Sequence, residues 1–457
     1  MSYSTQPPRL AYFSPLPPQP SGISDYSREL LPHLSHRADL HLYIDDYETT
    51  TEIAWNFPVR NYRDFPWRRT PDNYDFTLYH LGNSAMHAYL YPYITRYPGV
   101  LVLHDWVLHH FLGGLAIDTG NAELYLRELA HEGGQSGMLL AWEVAAGLLP
   151  PPHFDYPLSG RSIDASLGVI VHSEYLRGLV QTASPTKPVT VVPMGIPLPP
   201  DPGPKADLRG RLRLPDKAFI FGSFGLATPY KRISTVLRSL KTLVARGIDA
   251  HYVIVGEVAA NLNLAGEIKA LGLGRRVHVT GYLPESDYNA YLHAVDVCVN
   301  LRYPTAGETS AAALRCLAAG KPTVVSNVDA NRELPDACVL KVPIGDEEES
   351  MLTRSLDALA NNPDIRDQMG EAARAYIARQ HSLEQAAKGY ISFLEDIKAN
   401  IWQDWRAPII AEQAAENFSQ AYLQEIATHM RSLQVDGNDL SLIRPVAQAI
   451  ADLGLAN

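Results

Sequence analysis

The amino-acid sequence predicts an α/β protein of two Rossmann-like domains, each a doubly wound parallel sheet with helices on both faces. Short apolar runs alternate with helical stretches in both halves of the chain, which is the pattern of parallel strands connected by helices. Between the halves, residues 196–204 contain five prolines. Because proline fits neither a central strand nor the interior of a helix, this segment marks a domain boundary.

Composition restricts the class of protein. Of the 457 residues, 46% are hydrophobic and 19% are charged, which is ordinary for globular domains. The net charge of −11 argues against a nucleic-acid partner, which would require a clustered positive surface. The chain shows no signal peptide and no run of about 20 apolar residues, so we expect a cytoplasmic protein. The three cysteines, Cys298, Cys316 and Cys338, are expected to be buried free thiols.

The first half opens with a predicted strand at residues 10–14, a loop that ends at Gly22, and a helix over residues 25–34. Further strands are predicted at residues 40–44, 76–79, 100–103, 169–171 and 189–192. Each is a short apolar run without strict alternation, as expected when both faces of a sheet are covered.

The strand–helix pattern begins again after the proline-rich segment. Strands are predicted at residues 219–224, 252–255, 277–280, 295–300 and 323–325, with a helix over residues 232–246 and helices from residue 364 onward, including two near residues 413–433 and 440–453. We therefore expect an N-terminal Rossmann-like domain over residues 1–196, a linker over 197–216, a second Rossmann-like domain over 217–395 and a helical C-terminal extension over 396–457.

In parallel sheets, ligands bind beyond the carboxyl ends of the strands, so the residues that follow each strand are candidates for a site. After the first strand, Gly22 lies just before a helix whose N-cap is expected at Ser24 or Asp25. Such a helix start either receives a polyhydroxyl or anionic group or is a plain capped turn.

Polar residues also follow the third and fourth strands. Asn83 follows the third, and His104 and Asp105 come directly after the fourth. An imidazole at the end of an apolar strand is costly unless it has a role there, so His104 is a candidate functional residue. His109 and His110 add two imidazoles nearby, but no third ligand has suitable spacing, and a metal is not expected.

In the second half, Gly225 follows the first strand and allows close approach to the backbone. Lys231 and Arg232 come at the start of the next predicted helix, where a cation is unfavourable against the helix dipole unless an anion is present. This conflict indicates a diphosphate site; the alternative is two solvated charges.

The loop around Glu308 is the strongest signal of the sequence. Glu308 lies in a glycine-containing loop, and Thr309 and Ser310 precede a helix of small residues, so their backbone N–H groups are free to bind phosphate or sugar hydroxyls. A further loop, at residues 281–284, could offer backbone groups to a nucleotide base.

Together these motifs resemble the family-4 glycosyltransferases of the GT-B fold over residues 9–395. Each motif is modest alone, but their order is specific. The resemblance is carried by residues 14–26, 79–84, 103–109, 171–175, 192–196, 225–231, 253–256, 279–283 and 307–322.

The resemblance implies two domains facing a central cleft and transfer of a sugar, with retention, from a UDP- or GDP-linked donor to a carbohydrate or lipid-linked acceptor. It implies no metal and no cofactor besides this co-substrate. The residues implied are His104 and Glu308 for catalysis, Gly225, Lys231, Arg232, Thr309 and Ser310 for the diphosphate and sugar, Gly256, Tyr282 and Leu283 for the nucleotide, and Gly22, Asn83 and Asp105 for the acceptor.

Two charged positions of the family pattern differ here. The arginine that usually follows the glycine is Leu226, so Arg232 is expected to substitute for it. The two glutamates of the family fall on Gly307 and Arg315, which displaces Glu308 by one residue from the first position. The second role, holding the ribose hydroxyls, is left without an acidic side chain.

These departures keep other functions open. A non-catalytic nucleotide-sugar binding protein would tolerate Leu226 and Arg315, and a sugar-nucleotide epimerase shares the fold. A dinucleotide dehydrogenase is disfavoured because no Gly-x-Gly-x-x-Gly follows either first strand. The sequence also leaves open a peripheral membrane contact and a homodimer through the C-terminal helices.

Overall fold

The computed structural model describes residues 7–69, 73–200 and 202–401. The first half of the chain forms a parallel sheet, as predicted, and this sheet has seven strands. Its strands are β1 Arg9–Phe13, β2 Asp39–Ile44, β3 Val59–Asn61, β4 Phe76–Leu81, β5 Val100–Leu103, β6 Gly168–Val171 and β7 Val189–Val191. They lie in the order β3-β2-β1-β4-β5-β6-β7. The sequence analysis did not predict β3.

Eight α-helices connect these strands within the described part of the chain. They are α1 Gly22–Ser35, α2 Thr51–Asn56, α3 Phe65–Arg68, α4 Tyr91–Arg96, α5 His109–Asp118, α6 Ala122–Ala145, α7 Gly160–Ala165 and α8 Glu174–Ala183. Helix α1 begins at Gly22, three residues earlier than predicted, because Ser21 is its N-cap: the Ser21 hydroxyl accepts from the backbone N–H groups of Ile23 and Ser24 at 3.2 and 3.3 Å.

The second half forms a sheet of six parallel strands. They are β8 Phe219–Phe224, β9 Ala250–Val255, β10 Val277–Val279, β11 Val297–Asn300, β12 Thr323–Ser326 and β13 Val339–Val342, in the order β10-β9-β8-β11-β12-β13. The helices are α9 Lys205–Arg211, α10 Ile233–Ala245, α11 Leu264–Leu271, α12 Glu285–Ala294, α13 Ala311–Ala318, α14 Glu348–Asn361, α15 Pro363–Gln380 and α16 Leu383–Ile401. Strand β13 was not predicted.

Both sheets are buried on both faces, which explains the unbroken apolar runs. In β1, Leu10 and Tyr12 pack into one core while Ala11 and Phe13 pack into another, and all four are fully buried. The three cysteines are free and buried, as expected. In the ranges that the structure covers, no helix is long and apolar enough to cross a bilayer.

Two elements depart from the expected domain boundaries. Helix α9 lies inside the expected linker, and its Arg209 is buried against Asp296 of the second half at 2.8 Å. Helix α16 packs against α1 of the first half, where Tyr390 enters the core and its hydroxyl lies 3.3 Å from that of Tyr26. The two helices predicted near residues 413–433 and 440–453, and the homodimer through them, lie outside the described residues.

Three histidine side chains are buried at the carboxyl ends of strands β4, β5 and β6. The rings of His80 and His104 share a hydrogen bond of 3.0 Å, and His172 lies with its ring centroid 4.9 Å from that of His104. Nδ1 of His172 donates to the carbonyl of Val192 at 2.8 Å. Burial lowers the pKa of His80 and His104 well below the ordinary histidine value and lowers the pKa of His172 to about 4.

We expect stability to fall in acid because these rings stay neutral in the folded protein. Below the unfolded pKa of about 6.5, the unfolded chain binds protons that the folded chain excludes, so the free energy of unfolding falls as pH drops toward 4. Substituting Gln for His172, which keeps a donor for Val192, should reduce the slope of that free energy by up to about 1.4 kcal/mol per pH unit.

Denaturant titrations between pH 4 and 7.5 measure this slope. His36, which is exposed on the surface, provides the matched control as His36→Gln. An equal change of slope in both variants, or none in His172→Gln, would contradict the account.

Candidate functional site

The loop that follows β5 touches the loop that follows β11. The backbone N–H groups of Trp106 and Val107 donate to the carbonyl of Ala306 at 2.7 and 2.9 Å. Gly307 has φ +80°, and a Cβ placed there would lie 2.7 Å from Cβ of Trp106. The carboxyl ends of the two sheets therefore meet here, and the candidate residues of both halves gather around this contact.

Two glycines bring the backbones that follow β8 and β9 into contact. Gly225 has φ +85°, and Gly256 has φ +140°. A Cβ on Gly256 would lie 2.4 Å from the carbonyl oxygen of Gly225, which neither backbone could accommodate. We call the backbone surface formed by Gly225 and Gly256 the floor, and it lies on the second-half side of the candidate site.

Lys231 lies beneath this floor and is only 8% exposed. Its Nζ donates to the carbonyl of Phe224 at 2.8 Å, and a Cβ on Gly225 would lie 3.0 Å from it. Burial, helped by the neighbouring Arg302 guanidinium, lowers the pKa of Lys231 to about 7. A bound anion would stabilise the charged ammonium there.

Arg302 is a site residue that the sequence analysis missed. It lies two residues beyond the end of β11, and its side chain is 11% exposed. The guanidinium forms an ion pair with Glu308 and donates to Oγ of Ser310 at 3.1 Å. Its signal in the sequence was a cation two residues beyond a buried apolar strand, close to the kind of position that pointed to His104.

Glu308 is held by its own loop. One carboxylate oxygen pairs with Arg302, and the other accepts the backbone N–H of Ala306 at 2.8 Å. Ser310 caps α13, because its hydroxyl accepts from the N–H of Ala313 at 3.2 Å and donates to Asn300 at 3.0 Å. The loop is therefore rigid before any ligand arrives.

Several polar groups at this loop have no partner. Among residues 7–69, 73–200 and 202–401, no group bonds to the buried Oγ1 of Thr309, Oγ1 of Thr228 or Nε of Arg302. The backbone N–H groups of Thr309 and Ser310, at the start of α13, likewise donate to no described carbonyl. Buried polar groups are normally paired, so this set can receive an anionic or hydroxyl-bearing ligand.

Arg232 points elsewhere. It adopts the left-handed conformation with φ 58°, which ends the short 3-10 helix Pro229–Lys231 and delays the start of α10 by one residue. Its guanidinium binds the buried carboxylate of Glu348 at 2.5 to 3.1 Å. The guanidinium that helps to lower the pKa of Lys231 is that of Arg302, not that of Arg232.

The loop after β10 borders the same floor. Gly281 pairs with Gly256 through an isolated bridge, which places the loop next to the two glycines. Tyr282 is 75% exposed, whereas Leu283 packs partly against the core that holds Phe224. The structure thus brings the three predicted nucleotide residues, Gly256, Tyr282 and Leu283, to one side of Lys231.

Asp105 and Asn83 form the first-half side of the site. Oδ2 of Asp105 accepts the backbone N–H of Asn83 at 2.7 Å, and Oδ1 of Asn83 accepts the N–H of Phe111 at 2.9 Å, in the first turn of α5. Burial, followed by the repulsion of Glu308, raises the pKa of Asp105 to about 7. This carboxyl is therefore poised to exchange a proton near neutral pH.

His104 and Gly22 lie behind and beside this pair. His104 is 5% exposed and bonded to His80, so it supports the loop from within the core. Gly22 is the first residue of α1, and a Cβ there would meet nothing within 4 Å. The adjacent Ile23 touches Gly82, which keeps the start of α1 close to Asn83.

Arg315, at the position of the second family glutamate, pairs with the opposite half. Its guanidinium binds Oε1 of Glu29 on α1 at 2.6 Å, and Arg28 binds Glu285 of α12 at 3.0 Å. Burial raises the pKa of Glu29, against the opposing effect of Arg315. The position of the second family glutamate is thus occupied by a cation that is paired with α1.

Comparison with known proteins agrees with this geometry. Residues 204–376 match the family described as Glycosyl transferases group 1. Alpha-D-kanosaminyltransferase of Streptomyces kanamyceticus is 25% identical over 183 residues, which cover 40% of this chain and 46% of that protein. The chain thus spans about half the length of the curated relative it matches.

Three solved structures share the architecture of the whole described chain. HepE of Anabaena in complex with UDP superimposes with a TM-score of 0.58 at 15% identity, over 85% of this chain and 100% of that chain. Sucrose-phosphate synthase from Thermosynechococcus elongatus superimposes with a TM-score of 0.63 at 15% identity, over 86% of this chain and 99% of that chain. A glycosyltransferase from Rickettsia africae has a TM-score of 0.63 at 12% identity, over 86% of this chain and 99% of that chain. The fold is GT-B, as predicted.

We expect Gly307→Ala to separate the two loops. The new Cβ would both strain a positive φ and overlap Trp106 at 2.7 Å, so the bonds to the carbonyl of Ala306 should break. Gly247→Ala is the matched control, because Gly247 has φ +87° and open space around it. The control should lose only about 1 kcal/mol of stability.

Small-angle scattering and thermal unfolding check this expectation. Gly307→Ala should give a larger radius of gyration and a larger loss of stability than Gly247→Ala. Identical scattering and equal stability losses in the two variants would refute the role of this contact.

Proposed function

We propose that this protein is a retaining glycosyltransferase that moves a sugar from a nucleoside-diphosphate donor to an acceptor hydroxyl. The observation that carries the proposal is the buried pair of cations, Lys231 and Arg302, beside unpartnered donors at the start of α13. The match of residues 204–376 to the group 1 glycosyltransferases supports the same conclusion.

The diphosphate would bind between Lys231 and the N-terminus of α13. We propose as its ligands the ammonium, the guanidinium of Arg302, which bonds to Ser310, and the N–H groups of Thr309 and Ser310 at the helix start, where the helix dipole favours negative charge. Because these groups are held in place in the free protein, they can stabilise charge that develops on the leaving diphosphate without reorganisation.

The nucleotide would extend from there toward Gly256, Tyr282 and Leu283. The close contact between Gly225 and Gly256 leaves only backbone at the floor, and the exposed ring of Tyr282 can stack on a base. HepE was solved with UDP and with UDP-glucose, which supports a UDP- or GDP-linked donor here. We assign the neutralisation of the diphosphate to the protein side chains.

Glu308 and Asp105 would flank the donor sugar and the acceptor. Glu308 is anchored by Arg302 and Ala306, so its carboxylate can accept a sugar hydroxyl from a fixed position. Asp105, with Asn83 behind it, would orient the acceptor hydroxyl, and His104 acts as a positioning residue beneath them.

The reaction would be a front-face displacement. The acceptor oxygen bonds to the anomeric carbon on the face from which the diphosphate oxygen leaves, and the proton of the acceptor passes to that leaving oxygen. Closure of the loops at Trp106 and Ala306 would exclude water and limit hydrolysis of the donor.

A nucleotide-sugar binding protein without turnover is the second candidate. It is favoured by Arg315, which ties α13 to Glu29 instead of presenting a carboxylate to the ribose. A thermal-shift panel of nucleotide sugars, followed by product analysis, separates the two. Stabilisation with slow donor hydrolysis or transfer supports the enzyme, whereas stabilisation without either supports the binding protein.

We predict that Lys231→Ala weakens the binding of the nucleoside diphosphate by roughly 10- to 100-fold, because it removes a charge-assisted hydrogen bond. Glu308→Ala should abolish turnover while leaving that binding within a few-fold. Calorimetry with UDP and GDP, and donor turnover, measure the two effects.

Lys241→Ala, at an exposed position of α10, is the control for the loss of one positive charge. Binding by Lys231→Ala that equals binding by this control would remove the diphosphate role from Lys231. Normal turnover by Glu308→Ala would remove the catalytic role from Glu308.

A further inference from the structure

A long apolar segment is exposed on the first half of the chain. Between residues 133 and 154, the only acidic or basic side chain besides His153 is Glu143. Five large apolar side chains of this segment are 45 to 72% exposed, and we call them the apolar rim: Leu139, Trp142, Leu148, Leu149 and Phe154. Exposed apolar patches of this kind mark binding surfaces.

The backbone under the apolar rim is ordered by specific contacts. Helix α6 is kinked at Gly134, which has φ 54° and ψ −134°, and the second part of the helix lies so close to the first that a Cβ on Gly137 would be 1.9 Å from the carbonyl oxygen of Leu129. At the end of the helix, the N–H groups of Leu148 and Leu149 donate to the carbonyl of Glu143 at 2.8 and 3.3 Å. The backbone that carries the exposed side chains is thus held in place.

Stacked rings connect the apolar rim to the acceptor side of the site. His153 stacks on His110 with ring centroids 3.9 Å apart and an angle of 4°, and Phe154 meets the edge of His110 at 5.7 Å. Nδ1 of His110 lies 3.2 Å from Nδ2 of Asn83, whose backbone N–H binds Asp105. A molecule that reaches Asp105 can therefore lie along His110 and Phe154.

The charges around the apolar rim argue for a neutral occupant. Glu143 lies within this stretch of the chain and Asp155 directly follows it, whereas no lysine or arginine lies between Arg127 and Arg161. An anionic bilayer surface would be repelled by this distribution. An uncharged apolar group fits the acidic surroundings of the apolar rim. If its hydroxyl-bearing head lies at Asp105, it also follows the ring contacts that lead from the site to the rim.

We propose that the apolar rim binds the apolar part of the acceptor, so that the acceptor substrate is a molecule with a hydroxyl head and an extended uncharged hydrocarbon or ring system. This inference rests on the proposed function and names the acceptor class for it. The stacked rings of His110 and His153 form the passage between the reacting hydroxyl and the apolar rim.

The test compares methyl, hexyl and octyl β-D-glucoside, below their micelle concentrations, by calorimetry with the full chain. Burying one methylene can strengthen binding about fourfold, so octyl glucoside should bind at least about tenfold more tightly than methyl glucoside even with partial burial. The double variant Leu148→Ser and Leu149→Ser should remove this preference.

Trp55 and Trp67, which are 85% and 86% exposed away from the apolar rim, supply the matched control as Trp55→Ser with Trp67→Ser. The control should keep the preference for octyl glucoside. Thermal unfolding checks that both double variants remain folded, as expected for exposed positions.

Equal binding of the three glucosides, or an equal loss in both double variants, would overturn the inference. So would binding to phosphatidylcholine vesicles that the leucine variant loses and octyl glucoside fails to displace, since the occupant would then be a bilayer. A concentration-dependent dimer lost in the leucine variant would assign the surface to a second copy.

Calorimetry with UDP on the same samples separates this inference from the proposed function. UDP binding without a preference for octyl glucoside would refute the acceptor class alone. Absence of nucleotide binding and of turnover would refute the proposed function, whatever the glucosides show.

Discussion

Burial of two cations, one in the segment after β8 and one in the loop after β11, is the constraint on which the candidate site depends. Lys231 and Arg302 lie at the carboxyl ends of neighbouring strands of the second sheet, and Glu308 is the carboxylate that pairs with this guanidinium. Positive charge without a matching negative charge is costly in a buried place. The low pKa of Lys231, about 7, expresses that cost, and an anionic ligand would relieve it.

The fold supplies this arrangement through strand order. Strands β8 and β11 are adjacent in the centre of the second sheet, so the loops that follow them end at one edge and bring Lys231 close to Arg302. Strand β5 of the first sheet ends opposite, where Trp106 binds the carbonyl of Ala306. The candidate groups of the two halves are therefore brought together at this contact.

Apolar periodicity and turn residues were sufficient to predict most of the fold. They gave eleven strand positions and the two-sheet architecture, because buried parallel strands leave continuous apolar runs. They missed β3 and β13, which are short edge strands of four residues or fewer. They also could not show that α16 returns to α1, since an amphipathic pattern does not specify which surface receives it.

The positions of Gly225, Lys231 and Glu308 beyond strands of the second sheet could be predicted, because they depend only on the order of residues in the chain. The partners of a side chain could not be predicted where they come from distant segments. Arg232 pairs with Glu348, which is 116 residues away in the chain, and Arg315 pairs with Glu29, which is 286 residues away. Arg302 was overlooked because its importance comes from its burial, which the sequence alone does not display.

The central claim is that the buried ammonium of Lys231 forms part of an anion-binding site. The most direct measurement is an NMR titration of that side chain, assigned with a Lys231→Arg variant, in the free protein and with saturating UDP or GDP. The account predicts a pKa of about 7 in the free protein that rises toward the ordinary lysine value when the nucleotide binds. A pKa that stays the same while the nucleotide binds would contradict it.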